Sequence, residues 1–439
     1  MLELRKYQME RLGYHLSRDR SLELLPMGRG KTPIMCCYSK IQWDLYKEKS
    51  VWVMPTALME KNRLEIIKWC NFEEDEVVLC NVSKNKRCEL YKKQNVKVFL
   101  MSGDTYAKEW DLLPKDVNVL VIDEFHSNFS THTSVRTQRF YASSRRIRKI
   151  KMMTGTIISG RYSSVYPAVA VIEPRHYLTY ENFLRTHAVY NRFNQIVGWH
   201  NPEKIRKILQ MYSSGLSDPF EGRKDLKEII FEKAIFDPKQ KSAYLEMEED
   251  ALLELDDKFI DARGSGGVKQ MRCRQILCCP ESIGLDIKTH GKDEMLQLHL
   301  KSALEEKERI LIYASFKSEQ ERIKKVCDSL GVRAAIMNGD VPSTKRGEID
   351  GKFQRHELDV IIGSPKVASM GFNWEFVREI IFMSLDHSNT DFSQAIGRGD
   401  RGSRTRPLLV YIMTYDTKVE KRILTILQRK SAELKKVVD

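Results

Sequence analysis

Short apolar, β-branched runs recur along this 439-residue chain in two separate series, with helix-patterned stretches between them. The first series occupies residues 51–54, 96–101, 117–122 and 150–153; the second, residues 310–313, 334–337, 360–362, 380–383 and 408–412. A strand that is apolar along its whole length must be covered on both faces, and alternation with helices means parallel sheets. Two such series predict an α/β protein with two domains. In these sheets ligands bind beyond the carboxyl ends of the strands. Pro55-Thr56, Ser102-Gly103, Asp123-Glu124 and Thr154-Gly155-Thr156 each follow a run directly.

The stretch from about 165 to 285 reads differently, with helical patterning and charge at 203–211 and 242–259. A further run at 229–235 is expected to be a strand that closes the first sheet. Gly264-Ser265-Gly266-Gly267 is the clearest flexible break. These features predict a first lobe at 1–237 that includes a helical segment at about 165–225, a helical linker at 238–285, and a second lobe at 286–439.

Three strings carry chemistry. Met27-Gly28-Arg29-Gly30-Lys31-Thr32 is a glycine-rich loop ending in Lys-Thr, which suits backbone N–H groups wrapped around phosphates. Gly28 and Gly30 let the backbone approach closely, Lys31 neutralises the β- and γ-phosphates, and the Thr32 hydroxyl holds Mg2+. The first glycine of G-x-x-x-x-G-K-[ST] is missing, because Leu25 stands there. Asp123-Glu124-Phe125-His126 puts two carboxylates at a strand end, Asp123 for the metal and Glu124 to orient the attacking water. Far downstream, Gln394-x-x-Gly-Arg398-x-x-Arg401 spaces two arginines three apart, on one face of a helix. ATP and Mg2+ are therefore the expected cofactors.

Composition narrows the partners. The 73 Lys and Arg against 60 Asp and Glu leave a formal charge of +13, which suits a polyanion. No run of about eighteen apolar residues occurs, so no membrane span is expected. The opening Met-Leu-Glu-Leu-Arg-Lys lacks the apolar core of a secretory signal, and nine scattered cysteines fit reduced thiols in a cytoplasmic setting. Neither Cys70, Cys80 and Cys88 nor Cys273, Cys278 and Cys279 has paired C-x-x-C spacing, so no zinc is expected.

The ordered motifs resemble those of superfamily 2 helicases of the DExH type, most like the SWI/SNF-like DNA translocases and related phage helicases. Leu4-Arg5-Lys6-Tyr7-Gln8 resembles that family's adenine-reading motif, with Gln8 as the base-contacting amide. Met54-Pro55-Thr56 and Ser102-Gly103-Asp104 resemble its strand-contacting motifs. Thr154-Gly155-Thr156 resembles the coupling motif, although Ile157 replaces the usual proline. Arg272–Leu277 resembles the helix that opens the second lobe. Ile312–Phe316, Asn338-Gly339, Ser369–Trp374 and Gln394–Arg401 then follow in family order. The resemblance implies two RecA-like domains with ATP between them, Arg398 and Arg401 as arginine fingers, and Gly371 among the nucleotide contacts. It also implies that His126 links the ATP site to Gln394 and Thr154.

DNA contact is expected through phosphates, since a motor must step without reading bases. Thr56, Ser102, Ser315, Ser364 and Ser369 are the candidates, although strand-end hydroxyls also cap helices. The basic runs at 145–149 and 401–406 read equally as part of the track or as solvated faces. Trp52, Trp69 and Trp374 are expected in the core. The expected function is an ATP-dependent DNA helicase or translocase on duplex, forked or single-stranded DNA. Compactness suggests a minimal viral or phage motor for replication, recombination or fork processing. An RNA helicase of the DExH group and a nucleic-acid-clamping ATPase switch are the alternatives. The sequence does not fix the oligomeric state; a monomer is preferred.

Overall fold

The computed structural model describes residues 3–26, 28–155, 157, 162–215, 227–255, 258–368, 372–400, 404 and 406–438. Met27, Thr156, Ser369, Gly371 and Arg401 lie outside the described residues. The chain forms two compact units, one of Met1–Gly222 with Lys430–Asp439 and one of Arg223–Arg429.

In the first unit six strands form one sheet: β1 (Arg20–Glu23), β2 (Lys49–Val53), β3 (Val77–Leu79), β4 (Val98–Met101), β5 (Val117–Ile122) and β6 (Lys149–Met153). Their order is β1-β6-β5-β2-β4-β3, with every neighbour parallel. Alternate residues feed two cores, one on each face. Val51, Val53, Leu120 and Ile122 pack on one side, and Trp52, Met54, Val119 and Val121 on the other. This two-sided burial is why the strands read as unbroken apolar runs. The expected core positions of Trp52 and Trp374 are met, both being fully buried. An antiparallel hairpin, β7 (Ala188–Tyr190) and β8 (Ile196–Trp199), also belongs to this unit.

The second unit contains β9 (Lys227–Lys233), a hairpin of β10 (Leu252–Leu255) and β11 (Lys258–Asp261), and β12 (Ile310–Tyr313), β13 (Ala334–Met337), β14 (Val360–Gly363), β15 (Glu379–Phe382) and β16 (Leu408–Thr414). Its six-stranded sheet is also wholly parallel, in the order β13-β14-β12-β15-β16-β9. The expectation that the run at 229–235 closes the first sheet is therefore corrected. Strand β9 pairs over seven residues with β16, from Lys227 opposite Leu408 to Lys233 opposite Thr414. It is an edge strand with mostly exposed side chains, and Ile229 and Phe231 are about half exposed, so its pattern carries no sign of which sheet it joins. Helices Pro238–Asp250 and Gly266–Cys278 bury Tyr244, Met247 and Ile276 in the same core as Ile380 and Val410.

Candidate nucleotide site

The carboxyl edge of the first sheet brings four of the predicted motifs together. Strand β1 leads through Leu24–Pro26 toward Gly28–Gly30, and helix Lys31–Tyr46 starts directly after. Gly28 and Gly30 sit at φ 74° and 78°, left-handed conformations that favour glycine. At Gly30 a Cβ would meet the Gln8 side-chain nitrogen at 2.4 Å. Gln8 Nε2 donates to the Gly30 carbonyl (3.1 Å) and Tyr7 Oη to the Arg29 carbonyl (2.8 Å). Gln8 is itself oriented by the Arg5 N–H, which donates to its Oε1. The adenine-reading candidates Arg5, Tyr7 and Gln8 are thus built onto the phosphate loop. Lys31 is buried, with its ammonium donating to the Leu25 and Pro26 carbonyls at 2.8 and 3.3 Å. Leu25, where a glycine is usual, is fully buried in the core. Thr32 is the second residue of that helix.

Strand β5 delivers the carboxylates. Asp123 is buried, and burial together with the neighbouring Glu124 pushes its carboxyl up to about 6, against the pull of Lys31. Its Oδ1 accepts the Glu124 N–H (3.0 Å) and its Oδ2 accepts from Asn62 Nδ2 (3.3 Å). Glu124 adopts φ 48°, a left-handed conformation that costs a non-glycine residue energy and recurs at functional sites. One of its carboxylate oxygens, Oε2, is buried and accepts no hydrogen bond. That oxygen lies 3.4 Å from His126 Nδ1, which is 2.7 Å from the Thr154 hydroxyl at the end of β6. A continuous polar line therefore joins Glu124, His126 and Thr154, with Gly155 next in the chain. Asn62 and Asn128, whose amide donates to the Asp123 and Glu124 carbonyls, escaped the sequence reading because a lone asparagine in a helix has no motif.

A buried polar chain holds β1 against its surroundings. Glu23, fully buried, accepts from Arg11 (2.7 Å) and Ser214 (2.7 Å) and contacts His15 Nε2 (3.0 Å). It also accepts the Leu25 N–H (3.2 Å), while its own carbonyl accepts the Thr154 N–H (3.0 Å). Burial keeps His15 below its ordinary value and therefore neutral. A neutral ring then donates from Nε2 to Glu23 and accepts at Nδ1 from Ser21 Oγ (2.8 Å). Ser21 in turn accepts from the buried Lys151 ammonium of β6 (3.2 Å). This network fixes the residue from which the phosphate loop departs.

The strand-end hydroxyls divide. Thr56 is exposed after β2. Ser102 caps helix Gly103–Glu109, accepting the Thr105 N–H at 3.1 Å. In the second unit, Ser315 and Ser364 line a cavity of about 210 Å³ beyond the ends of β12 and β14, with Lys366, Asp386 and Asp391. The Ser315 Oγ is buried there and makes no hydrogen bond. Gln394 lies in helix Asn389–Ile396. The helix expected to carry the two arginines ends before Arg398, and Arg401 lies outside the described residues. The helix ends at Ile396, and Gly397 starts a turn in which the Gly399 and Asp400 N–H groups return to the Ile396 carbonyl. Two glycines around Arg398 favour that turn over a further helical repeat. Arg398 is buried, its Nη1 donating to the Phe372 carbonyl at 3.1 Å.

The two parallel sheets flanked by helices are RecA-like domains. A solved Pyrococcus furiosus Hef helicase domain has a similar fold, with a TM-score of 0.50 at 15% identity over 96% of this chain and 97% of that one. The Sulfolobus solfataricus SWI2/SNF2 ATPase core in complex with dsDNA aligns at a TM-score of 0.44 and 17% identity, over 99% of this chain and 93% of that one. Residues 291–403 match the helicase conserved C-terminal domain. The ATP-dependent RNA helicase RhlB of Xanthomonas axonopodis pv. citri is 28% identical over 93 residues, 21% of this chain and 16% of that protein. The chain thus spans about a sixth of that relative's length. The solved structures show the fold, and the family match is confined to residues 291–403. No helix among the described residues is long and apolar enough to cross a membrane.

Proposed function

We propose that this chain is an ATP-driven DNA helicase or translocase of the DExH type. The observation that carries the reading is the Glu124–His126–Thr154 line, which starts at a carboxylate in a left-handed backbone conformation beside the phosphate loop. Such a line joins the group that meets water to the end of another strand, as coupling requires.

The residues fit a magnesium nucleotide. Asp123 is a buried carboxyl whose affinity for protons is raised by burial and by the neighbouring Glu124 carboxylate, and Glu124 Oε2 is a buried oxygen that accepts no hydrogen bond. Hard oxygen donors of this kind suit Mg2+. Thr32 and Asp123 would hold the ion, which when bound neutralises charge on the β- and γ-phosphates. The left-handed backbone at Gly28 and Gly30 allows loop N–H groups to face phosphate. Lys31 exchanges the Leu25 and Pro26 carbonyls for phosphate oxygens. Glu124 accepts a hydrogen bond from the attacking water and orients it. His126 turns one ring nitrogen, Nδ1, toward both the Thr154 hydroxyl and Glu124 Oε2. Gln394, Arg398 and Arg401 are the further candidates for transfer, the arginines to stabilise the charge that develops in it.

DNA contact rests on phosphates reached by Thr56, Ser315, Ser364 and Ser369, supported by the formal charge of +13. The short RhlB match favours RNA as the second reading. Titrating ATPase rate against linear duplex, fork DNA, single strands and RNA at several salt concentrations separates the two. The expected result is greater stimulation by duplex or branched DNA, with affinity falling log-linearly in salt. Preference for RNA assigns the chain to the RNA helicases, and no stimulation by any polymer refutes the motor.

A further inference from the structure

The hairpin of β7 and β8 exposes more apolar surface than its position in the chain explains. Five large hydrophobic side chains within nine residues are open to solvent: Val189, Tyr190, Phe193, Ile196 and Val197, at 39–68% exposure. Contiguous exposed apolar surface marks an interaction site. The hairpin is rigidly mounted. Its base rests on packed rings, Trp199 stacking on Tyr162 and lying near Phe183, which packs against Tyr166 and Tyr177. His187, just before β7, binds the Tyr177 hydroxyl (2.6 Å) and the His200 carbonyl (3.1 Å), joining the two ends. At the tip, Asn191 Oδ1 accepts the Phe193 and Gln195 N–H groups at 2.9 and 3.0 Å. Phe193 is thereby held outward at 68% exposure, with the Arg192 guanidinium 4.9 Å from its ring centre.

The surroundings are cationic. Residues 175–207 carry six Lys or Arg against two Glu, and Arg175, Arg185, Arg192, Lys204 and Lys207 are exposed. Exposed aromatic rings on a fixed mount, set among cations, are what binds unpaired bases: rings stack on base faces while cations meet the backbone.

We propose that this hairpin is a base-stacking contact for unpaired nucleotides, with Phe193 and Tyr190 as the platforms and Arg192 as the cation beside them. The inference rests on the reading of the chain as a nucleic-acid motor. It adds a contact that senses whether bases are unpaired, which phosphate contacts at strand ends cannot do.

The test uses the full chain and 2-aminopurine-labelled oligonucleotides as single-stranded DNA, single-stranded RNA, fork and blunt duplex. Phe193→Ala should weaken single-strand and fork binding roughly 5- to 100-fold. It should leave ATP hydrolysis without nucleic acid, and blunt-duplex affinity, as in the wild type. Phe193→Trp should retain affinity, and its fluorescence should be quenched on adding single strands. Unchanged single-strand affinity in Phe193→Ala, or no quenching in Phe193→Trp, overturns the proposal. So does a fall in oligomeric state in Phe193→Ala with affinity intact, which would assign the patch to a second copy. Failure of the motor reading is distinct, because the wild type would then show no stimulation by any nucleic acid.

Discussion

Replacing Glu23 by leucine tests how the phosphate loop is anchored. The carboxylate is fully buried and serves Arg11 (2.7 Å), His15 (3.0 Å), Ser214 (2.7 Å) and the Leu25 N–H (3.2 Å). Removing one partner of a buried ion pair costs about 3–5 kcal/mol, because the remaining charge keeps its desolvation penalty. For a unit of this size, about 2–4 °C of melting temperature accompanies each kcal/mol, so a fall of roughly 6–20 °C is expected. Arg11→Met combined with Glu23→Leu should recover a large part of it, with a coupling energy of about 1.5 kcal/mol or more. The pH dependence has a definite sign. Burial alone would raise Glu23, but its bonds to His15, Arg11 and Ser214 hold it below the ordinary carboxylate value. Its contribution is therefore complete above that ordinary value and is lost as pH falls through the depressed one. Thermal melts of the four proteins of the cycle at neutral and acid pH are the assay. A loss under about 1 kcal/mol in Glu23→Leu, or strict additivity in the cycle, would refute the anchoring argument.

Gly30→Ala should raise the KM for ATP with a modest loss of stability, since the new Cβ displaces Gln8 and stands at φ 78°; unchanged KM would reject the Gln8–loop contact. His299 sits between Glu232 (3.0 Å) and Glu379 (3.2 Å). Burial opposes its charge, but the two carboxylates prevail and raise its pKa. Its contribution is complete below the ordinary histidine value and fades as pH rises through the raised one. His299→Gln should thus cost about 2 kcal/mol at mildly acid pH, with the gap closing in alkaline melts. Arg398→Ala should cut turnover on the order of a thousandfold with little change in nucleotide affinity; wild-type turnover would reject its role in transfer.

Both sheets were legible because strands buried on two faces exclude polar residues, and nine short runs declare themselves. Strand β1 was not, since Arg20-Ser21-Leu22-Glu23 looks like a polar loop. Its Ser21 and Glu23 are buried by partners far away in sequence, Lys151 and Ser214 among them. Strand β9 could be read as a strand but not assigned to a sheet, because an edge strand with exposed side chains leaves its partner to backbone pairing. The site motifs stood out where local backbone demands are strict, as at Gly28, Gly30 and Asp123-Glu124. The Arg398 turn did not, because spacing of three looks helical whether or not the helix continues past Gly397.

ATP hydrolysis by the wild type and Glu124→Gln, each with and without duplex DNA, tests the central claim most directly. The expected result is DNA-stimulated turnover in the wild type and its near-complete loss in Glu124→Gln, with ATP still bound and the fold unchanged. Substantial DNA-stimulated turnover in Glu124→Gln would contradict the assignment of water positioning to the end of β5.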